Sequence, residues 1–326
     1  MRCLVTGPTG YIGSRLVPRL LERGFEVRAS ARNPDKLAEV PWREAAEVVR
    51  ADLTDTHSLD AACTGVDVVY YLVHSMGASA DFVDQERRSA DNLADAARRA
   101  GVRRIVYLGG LHPDGVKLSE HLRSRTAVGE HLLDSGIETV VLQAGIVVGC
   151  GSASFEMIRY LTHRLPAMTT PRWVHNKIQP IAISDVLHYL AAAADAEVPY
   201  SRTWDIGGPD VLEYADMMQV YAEVAGLRRR LIIAVPVLTP GLASWWIGLV
   251  TPIPLGLARP LVESLLCDAV MSEHDIDTVI PLPEAGLTGY RDAVRLALAH
   301  PQRERSWSGI HDAPWLPLPS DPSWAR

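Results

Sequence analysis

The sequence predicts an α/β protein, a doubly wound parallel sheet with a smaller C-terminal cap region. Three observations predict it. Strand-length apolar runs alternate with helical spacing through residues 1–150. One run, VDVVYYLV, is apolar almost throughout, as a strand covered on both faces must be. A glycine-rich turn, GPTGYIG, joins the first strand to the first helix.

The elements follow in order. RCLVT is a short apolar strand, and residues 11–23 carry helical spacing through Ile12, Leu16, Leu20 and Leu21. FEVRAS is the second strand, trailed by a short helix around 34–39; AEVVRAD is the third, and HSLDAAC starts a small helix. VDVVYYLV comes next, then a long helix from about 80 to 100 and the strand RRIVYLGG. LSEHLRSRTAVGEHLLDSG, residues 118–136, is one helix whose His121 and Arg125 share a face, and TVVLQAGIVVG is the strand after it. Beyond Gly151 the alternation weakens: helices are expected near 153–164, 184–195 and 213–225, with the strand TWDIGG between the last two. Asp185 is expected to cap or anchor the helix it begins. Residues 1–150 thus form a nucleotide-binding unit and 151–300 a cap interleaved with it, over the carboxyl ends of the sheet. Residues 301–326 are an extended tail docked through Trp307, Trp315 and Trp324.

Composition excludes several classes. Of 326 residues, 48% are hydrophobic and 22% charged, which are globular values that argue against disorder. A net charge of -7 argues against a nucleic-acid partner, because phosphate neutralisation needs clustered cations. The short clusters at Arg98, Arg99, Arg103 and Arg104 and at Arg228 to Arg230 read as solvated helix ends. Cys3, Cys63, Cys150 and Cys267 show no metal or disulfide spacing, so no metal site is expected. The opening MRCLVTG runs straight into a strand without a signal-peptide pattern, so a cytoplasmic location is the expectation. No charge occurs from Leu231 to Ala258, yet four prolines interrupt that run. A buried strand and short helix explain it better than a membrane span, and peripheral membrane contact is the lesser alternative.

Glycines at 7, 10 and 13, placed between a buried strand and a helix, permit close backbone approach and leave helix amides free for an anion. In an alternating βα chain this is the context of a dinucleotide site, the Rossmann fold. The spacing T-G-x-T-G-x-x-G (residues 6–13), with ADLTD, VYYLVHS, RIVYLGGL, LLDSGIETVVLQAGIVVG, IQPIAISDV and WDIGGPD in order, resembles the atypical and extended short-chain dehydrogenase/reductases, especially the NmrA-like NAD(P)H-binding proteins. The resemblance implies cofactor contacts from Gly7, Thr9, Gly10, Tyr11, Ile12 and Gly13. It also implies contacts from Asp52 and Leu53 at the adenine, from Leu72, Val73 and His74 beside the nicotinamide ribose, and from Arg125. An acid at the end of the second strand would bind a ribose hydroxyl and repel a 2′-phosphate; VRASARNPDKL has none there. Arg32, supported by Arg28 and Lys36, favours NADP(H) over NAD(H).

Active members of the group carry Ser or Thr after the fifth strand and Tyr-x-x-x-Lys on the next helix. This chain has Gly109 and Gly110 at the first place, and His121 and Arg125 at the second. Arg125 can keep a ribose contact but cannot give up a proton, whereas His121 titrates near neutrality. His74 and His112 fall on neighbouring strand ends, so three imidazoles are candidates for one cleft. Arg159, His163, Arg164 and Arg172 lie before a segment that supplies substrate contacts in related enzymes. Trp245 and Trp246, in the uncharged run, suit a flat apolar substrate. Two readings follow: an NADP(H)-dependent oxidoreductase acting on an apolar carbonyl or quinone-like small molecule, and a non-catalytic NAD(P)H-binding redox sensor or assembly protein.

Overall fold

The computed structural model describes residues 1–73, 82–113, 115–235, 247–248, 250–299, 314–315, 317–318 and 321–322. His74, Trp245, Trp246, Trp307 and Trp324 lie outside the described residues.

In chain order the protein contains β1 (Arg2–Thr6), α1 (Tyr11–Glu22), β2 (Glu26–Ala31), β3 (Glu47–Arg50), α2 (Thr56–Cys63), β4 (Val68–Tyr71), α3 (Phe82–Ala100), β5 (Arg104–Gly110), α4 (Glu120–Leu133) and β6 (Glu138–Ala144). It continues with β7 (Val147–Val148), α5 (Ala153–Arg164), β8 (Ala167–Pro171), β9 (Lys177–Ile178), β10 (Ile181–Ala182), α6 (Ile183–Ala192), β11 (Arg202–Ile206), β12 (Leu212–Glu213), α7 (Tyr214–Val224), β13 (Leu231–Val235), α8 (Leu255–Ser264) and α9 (Tyr290–Leu298). Seven strands form one parallel sheet in the order β11-β6-β5-β4-β1-β2-β3. Strand order reverses between β1 and β4, and in such sheets the crevice at that reversal receives the ligand.

The predicted alternation therefore holds, with strands covered on both faces. Leu16, Val17 and Leu20 of α1 and Leu187 and Leu190 of α6 pack one face. Leu59, Leu93, Ala97, Val128 and Leu132 pack the other. Residues beyond 150 return to this layer: β11 is the sheet's edge and α6 covers α1. A separate core, built on Phe155, Ile158, Met217, Tyr221, Val262 and Val294, unites α5, α7, α8 and α9 as the cap.

Three local expectations change. TVVLQAGIVVG is two strands, because a side chain at Gly145 would lie 2.7 Å from the Gln179 carbonyl and the chain turns there onto β10. Asp185 does not cap α6, whose N-cap is Ala182 without a side-chain bond; its buried carboxylate accepts from Thr288 N at 2.7 Å and anchors the approach to α9. The strand at 231 forms, but beside β8 in a two-stranded ribbon with an open face, so Leu231 is 57% exposed. Of the tail's three indoles only Trp315 is described, half-buried against the sheet core, and the described tail residues also make the polar bonds given below. Among the described residues no helix is long and apolar enough to cross a membrane.

Candidate functional site

The crevice begins where β1 ends. Thr6 Oγ1 donates to the Tyr70 carbonyl (2.9 Å) and accepts from Leu72 N (3.1 Å), tying the switch point together. Gly7 then turns at φ +71°, and a Cβ there would meet the Leu72 carbonyl at 2.8 Å. Gly10 N closes the turn on Gly7 O at 3.0 Å. At Gly13 a Cβ would lie 2.3 Å from Gly7 O, so only glycine lets α1 start this close to the strand. Thr9 and Gly10 are exposed at the mouth. The first amides of α1, those of Tyr11, Ile12 and Gly13, have no intrahelical acceptor, and no side chain caps them. The result is an anion cradle of backbone N–H groups at a positive helix end. Ile12 packs half-buried on the core. Tyr11 turns its ring inward beneath the Arg15 guanidinium (4.1 Å to the centroid), with its hydroxyl buried against Gly149, leaving only its amide for the cradle.

Beside the cradle, Arg32 stands exposed just past the carboxyl end of β2, without a bonded partner among the described residues. Arg28 does not join it. Arg28 is buried in the middle of β2, where it pairs with Glu47 at 2.8 Å and donates to the carbonyls of Ala62 and Thr64. Lys36 is exposed on the turn that follows. Asp52 accepts from Thr54 N (2.9 Å) and Oγ1 (2.8 Å). The Thr54 amide bond, with help from the hydroxyl and the Arg32 charge, holds its carboxyl below the usual range against partial burial. Leu53, Leu72 and Val73 are half-buried around the same rim.

On the other side of the switch, α4 starts at Ser119, whose hydroxyl accepts from Leu122 N. His121 and Arg125 are half-buried on one face of it. Arg125 reaches β5: its Nη2 donates to Leu108 O at 2.7 Å, and Tyr107 Oη donates to its carbonyl at 3.1 Å. A cavity of about 90 Å³ opens here, lined by Tyr107, Gly109, Gly110, Arg125, Thr126 and Gln143 among others. His121 is not among its described lining residues. The absent hydroxyl has a steric counterpart: a Cβ at Gly110 would come 2.8 Å from Leu122 Cδ2, whereas one at Gly109 would find ordinary contacts. His112 sits behind the cavity, its Nε2 3.0 Å from Thr126 Oγ1 and 3.4 Å from Gln143 Nε2. Gln143 and Thr126 escaped sequence reasoning; a lone polar residue at the carboxyl end of the apolar strand TVVLQ was the available signal.

Nothing in the sequence pointed to Arg15. Its buried guanidinium pairs with Asp321 through both nitrogens and both oxygens (3.0 and 2.8 Å), donates to Pro314 O (2.8 Å) and also to Cys150 O (3.2 Å). The tail is thereby strapped across the first turn of α1, and Cys150 N adds a bond to Trp315 O at 2.8 Å. In the cap, Arg159 pairs with buried Glu156 at 2.6 Å and His163 Nε2 lies 2.9 Å from Tyr221 Oη. Arg164 donates to Val250 O, and Arg172 is exposed. These four cap residues are thus dispersed among separate partners.

Residues 7–145 match a protein-family model described as NAD(P)H-binding. The match covers less than half of the chain and makes that stretch, from the glycine turn to the end of β6, similar to NAD(P)H-binding domains. The chain is 36% identical over 116 residues to the 3 beta-hydroxysteroid dehydrogenase/Delta 5-->4-isomerase of Mycobacterium tuberculosis, a match spanning 32% of this chain and only 30% of that protein. It is 24% identical over 259 residues to cinnamoyl-CoA reductase 1 of Petunia hybrida, covering 67% and 76% of the two chains. Its fold is similar to that of the Citrobacter sp. triphenylmethane reductase complexed with NADP(H), at a TM-score of 0.70 and 19% identity over 91% of this chain and all of that one. It is similar also to an NADPH-dependent quinone oxidoreductase of Escherichia coli, at a TM-score of 0.71 and 19% identity over 90% and 98%.

Proposed function

We propose that this chain is an NADP(H)-using oxidoreductase acting on an apolar carbonyl or quinone-like compound. Arg32 carries the cofactor preference: it is an exposed cation at the end of β2, without a bonded partner among the described residues, where NAD-preferring sites keep an acid. The cradle of Gly7, Thr9, Gly10, Tyr11, Ile12 and Gly13 takes the pyrophosphate through backbone amides. Asp52 and Leu53 border the adenine, and Leu72, Val73 and His74 border the nicotinamide ribose. Residues 1–150 hold the cofactor, 151–300 close over the substrate, and 301–326 brace the junction. The nicotinamide, when bound, supplies a hydride. An acceptor such as a quinone can take its proton from solvent, which suits a site with glycine at positions 109 and 110. The reductase structures named above, one solved with NADP(H) and one NADPH-dependent, support that substrate class.

A second reading has its own observation. Arg125 is folded onto Leu108 O, and no hydroxyl is present at Gly109 or Gly110, as a non-catalytic sensor or assembly protein would tolerate. One experiment separates the two. The purified protein is titrated with NADPH and NADH, then given NADPH with a panel of quinones and aldehydes while nicotinamide absorbance is followed. Turnover supports the oxidoreductase, and loss of turnover in His121→Phe gives that imidazole the proton-transfer role. Tight NADPH binding without turnover on any acceptor selects the sensor. Equal affinity for both nucleotides, unchanged by Arg32→Asp, removes the NADP(H) preference.

A further inference from the structure

The ribbon of β8 and β13 combines two features on one corner of the surface. The first is its face. Leu231 registers with Ala167 and Ile233 with Thr169, and strand alternation puts these four side chains on one side. That side is open to water: Leu231 is 57% and Ile233 49% exposed, and Ala167 and Thr169 are exposed with them. Met168 and Ile232 on the opposite side enter the cap core.

The second is charge. Arg164, Arg228 and Arg229 are exposed at the end of the ribbon where Leu231 N bonds Pro166 O at 3.0 Å, and Arg172 is exposed just past Pro171 at the other end. Among the described residues none of the four has a carboxylate partner, so the corner carries four uncompensated positive charges beside an open apolar face. Arg164 Nη1 instead donates to Val250 O at 2.6 Å. That carbonyl belongs to the charge-free run 231–258, so the run returns to the corner where it starts.

We propose that this face docks the protein on an anionic lipid surface. Interfacial binding needs apolar side chains that enter the headgroup boundary and cations that meet its phosphates. Leu231 and Ile233 supply the first and the four guanidiniums the second, and a guanidinium forks onto phosphate oxygens at small desolvation cost. With a net charge of -7 the rest of the molecule is repelled by such a surface, so this corner sets the orientation. A nucleic acid fits less well, because the aliphatic face gives bases no ring to stack on. A second copy packed on the same face through a twofold axis would bring four more arginines against these four. The docking site stands independently of which substrate the cofactor crevice serves.

Vesicle flotation of the full chain tests the proposal, comparing phosphatidylcholine vesicles with vesicles containing about one-third phosphatidylglycerol. The protein is expected to float with the anionic vesicles and to be released by high salt. Arg228→Gln and Arg229→Gln should each lower the partition coefficient roughly fivefold, the worth of one cation near an anionic surface. Leu231→Ser combined with Ile233→Ser should lower it at every salt concentration. Melting temperature and NADPH binding should stay unchanged in all variants, since the altered side chains are exposed. Protein that remains at the bottom with both vesicle types overturns the proposal, as does flotation indifferent to these substitutions. Light scattering that shows a dimer lost in the Leu231→Ser, Ile233→Ser variant, without flotation of the parent, assigns the face to a second copy and likewise overturns it.

Discussion

Asp321→Ala isolates the polar clamp between the tail and the helix that opens the nucleotide crevice. The Asp321 side chain is 4% exposed and the Arg15 side chain 0%, and the carboxylate meets both guanidinium nitrogens while also accepting from Leu318 N at 2.6 Å. Removing it leaves a cation in the interior without its carboxylate, at a cost of about 3–5 kcal/mol. Unfolding entropy of roughly 2.1 cal/mol/K per residue, taken over this chain, converts that to a melting temperature lower by about 4–7 °C. The bonds from Arg15 to Pro314 O and Cys150 O persist, which favours the lower end. The molecule has one route of relief: the tail detaches and water reaches Arg15, capping the loss at the free energy of tail docking. Calorimetry paired with limited proteolysis covers both outcomes, since a detached tail is cut. Replacing the pair together, Arg15→Met with Asp321→Leu, should recover most of the loss, because no charge is then stranded. An unchanged melting temperature together with unchanged proteolysis in Asp321→Ala refutes the reasoning.

Gly13→Ala puts a methyl 2.3 Å from Gly7 O, so the turn must open; NADPH affinity by calorimetry should fall by tenfold or more, on the order of a lost backbone anion contact. Arg28→Met should cost about 2–3 kcal/mol in denaturant unfolding, because the carbonyls of Ala62 and Thr64 lose their donor, and should leave the NADPH-to-NADH affinity ratio intact. Arg32→Asp should give the opposite pattern, a shifted ratio with normal stability. His163 is held below the usual imidazole pKa by burial, with Arg159 and Arg230 adding to it. The unfolded chain therefore binds the proton more readily, so this contribution is present above about pH 6.5 and declines as pH falls below it. His163→Phe should flatten that limb of the stability profile, and a limb of unchanged slope assigns it to other groups.

The crevice was readable in the residues because its determinants are local. A glycine at 7, 10 or 13 reports a backbone approach within a few residues, and the apolar run of β4 reports a strand with two covered faces. Arg32 was readable for the same reason, lying at the end of a strand. Arg28 was misjudged by charge alone: it lies within β2, where both faces are covered, and partners from Glu47 and from the end of α2 decide its role. Asp185 was placed on the right helix without its partner, since Thr288 lies 103 residues away. Alternation, helical spacing and the glycine turn determined the doubly wound sheet and its cofactor crevice, because each acts through backbone geometry over a few residues. Tertiary structure alone decided the Arg15–Asp321 strap across 306 residues, the fold-back of Arg125 onto Leu108 and the open face of β13. Those depend on which distant surfaces remain to pair a buried charge or cover an apolar face, and no local periodicity carries that information.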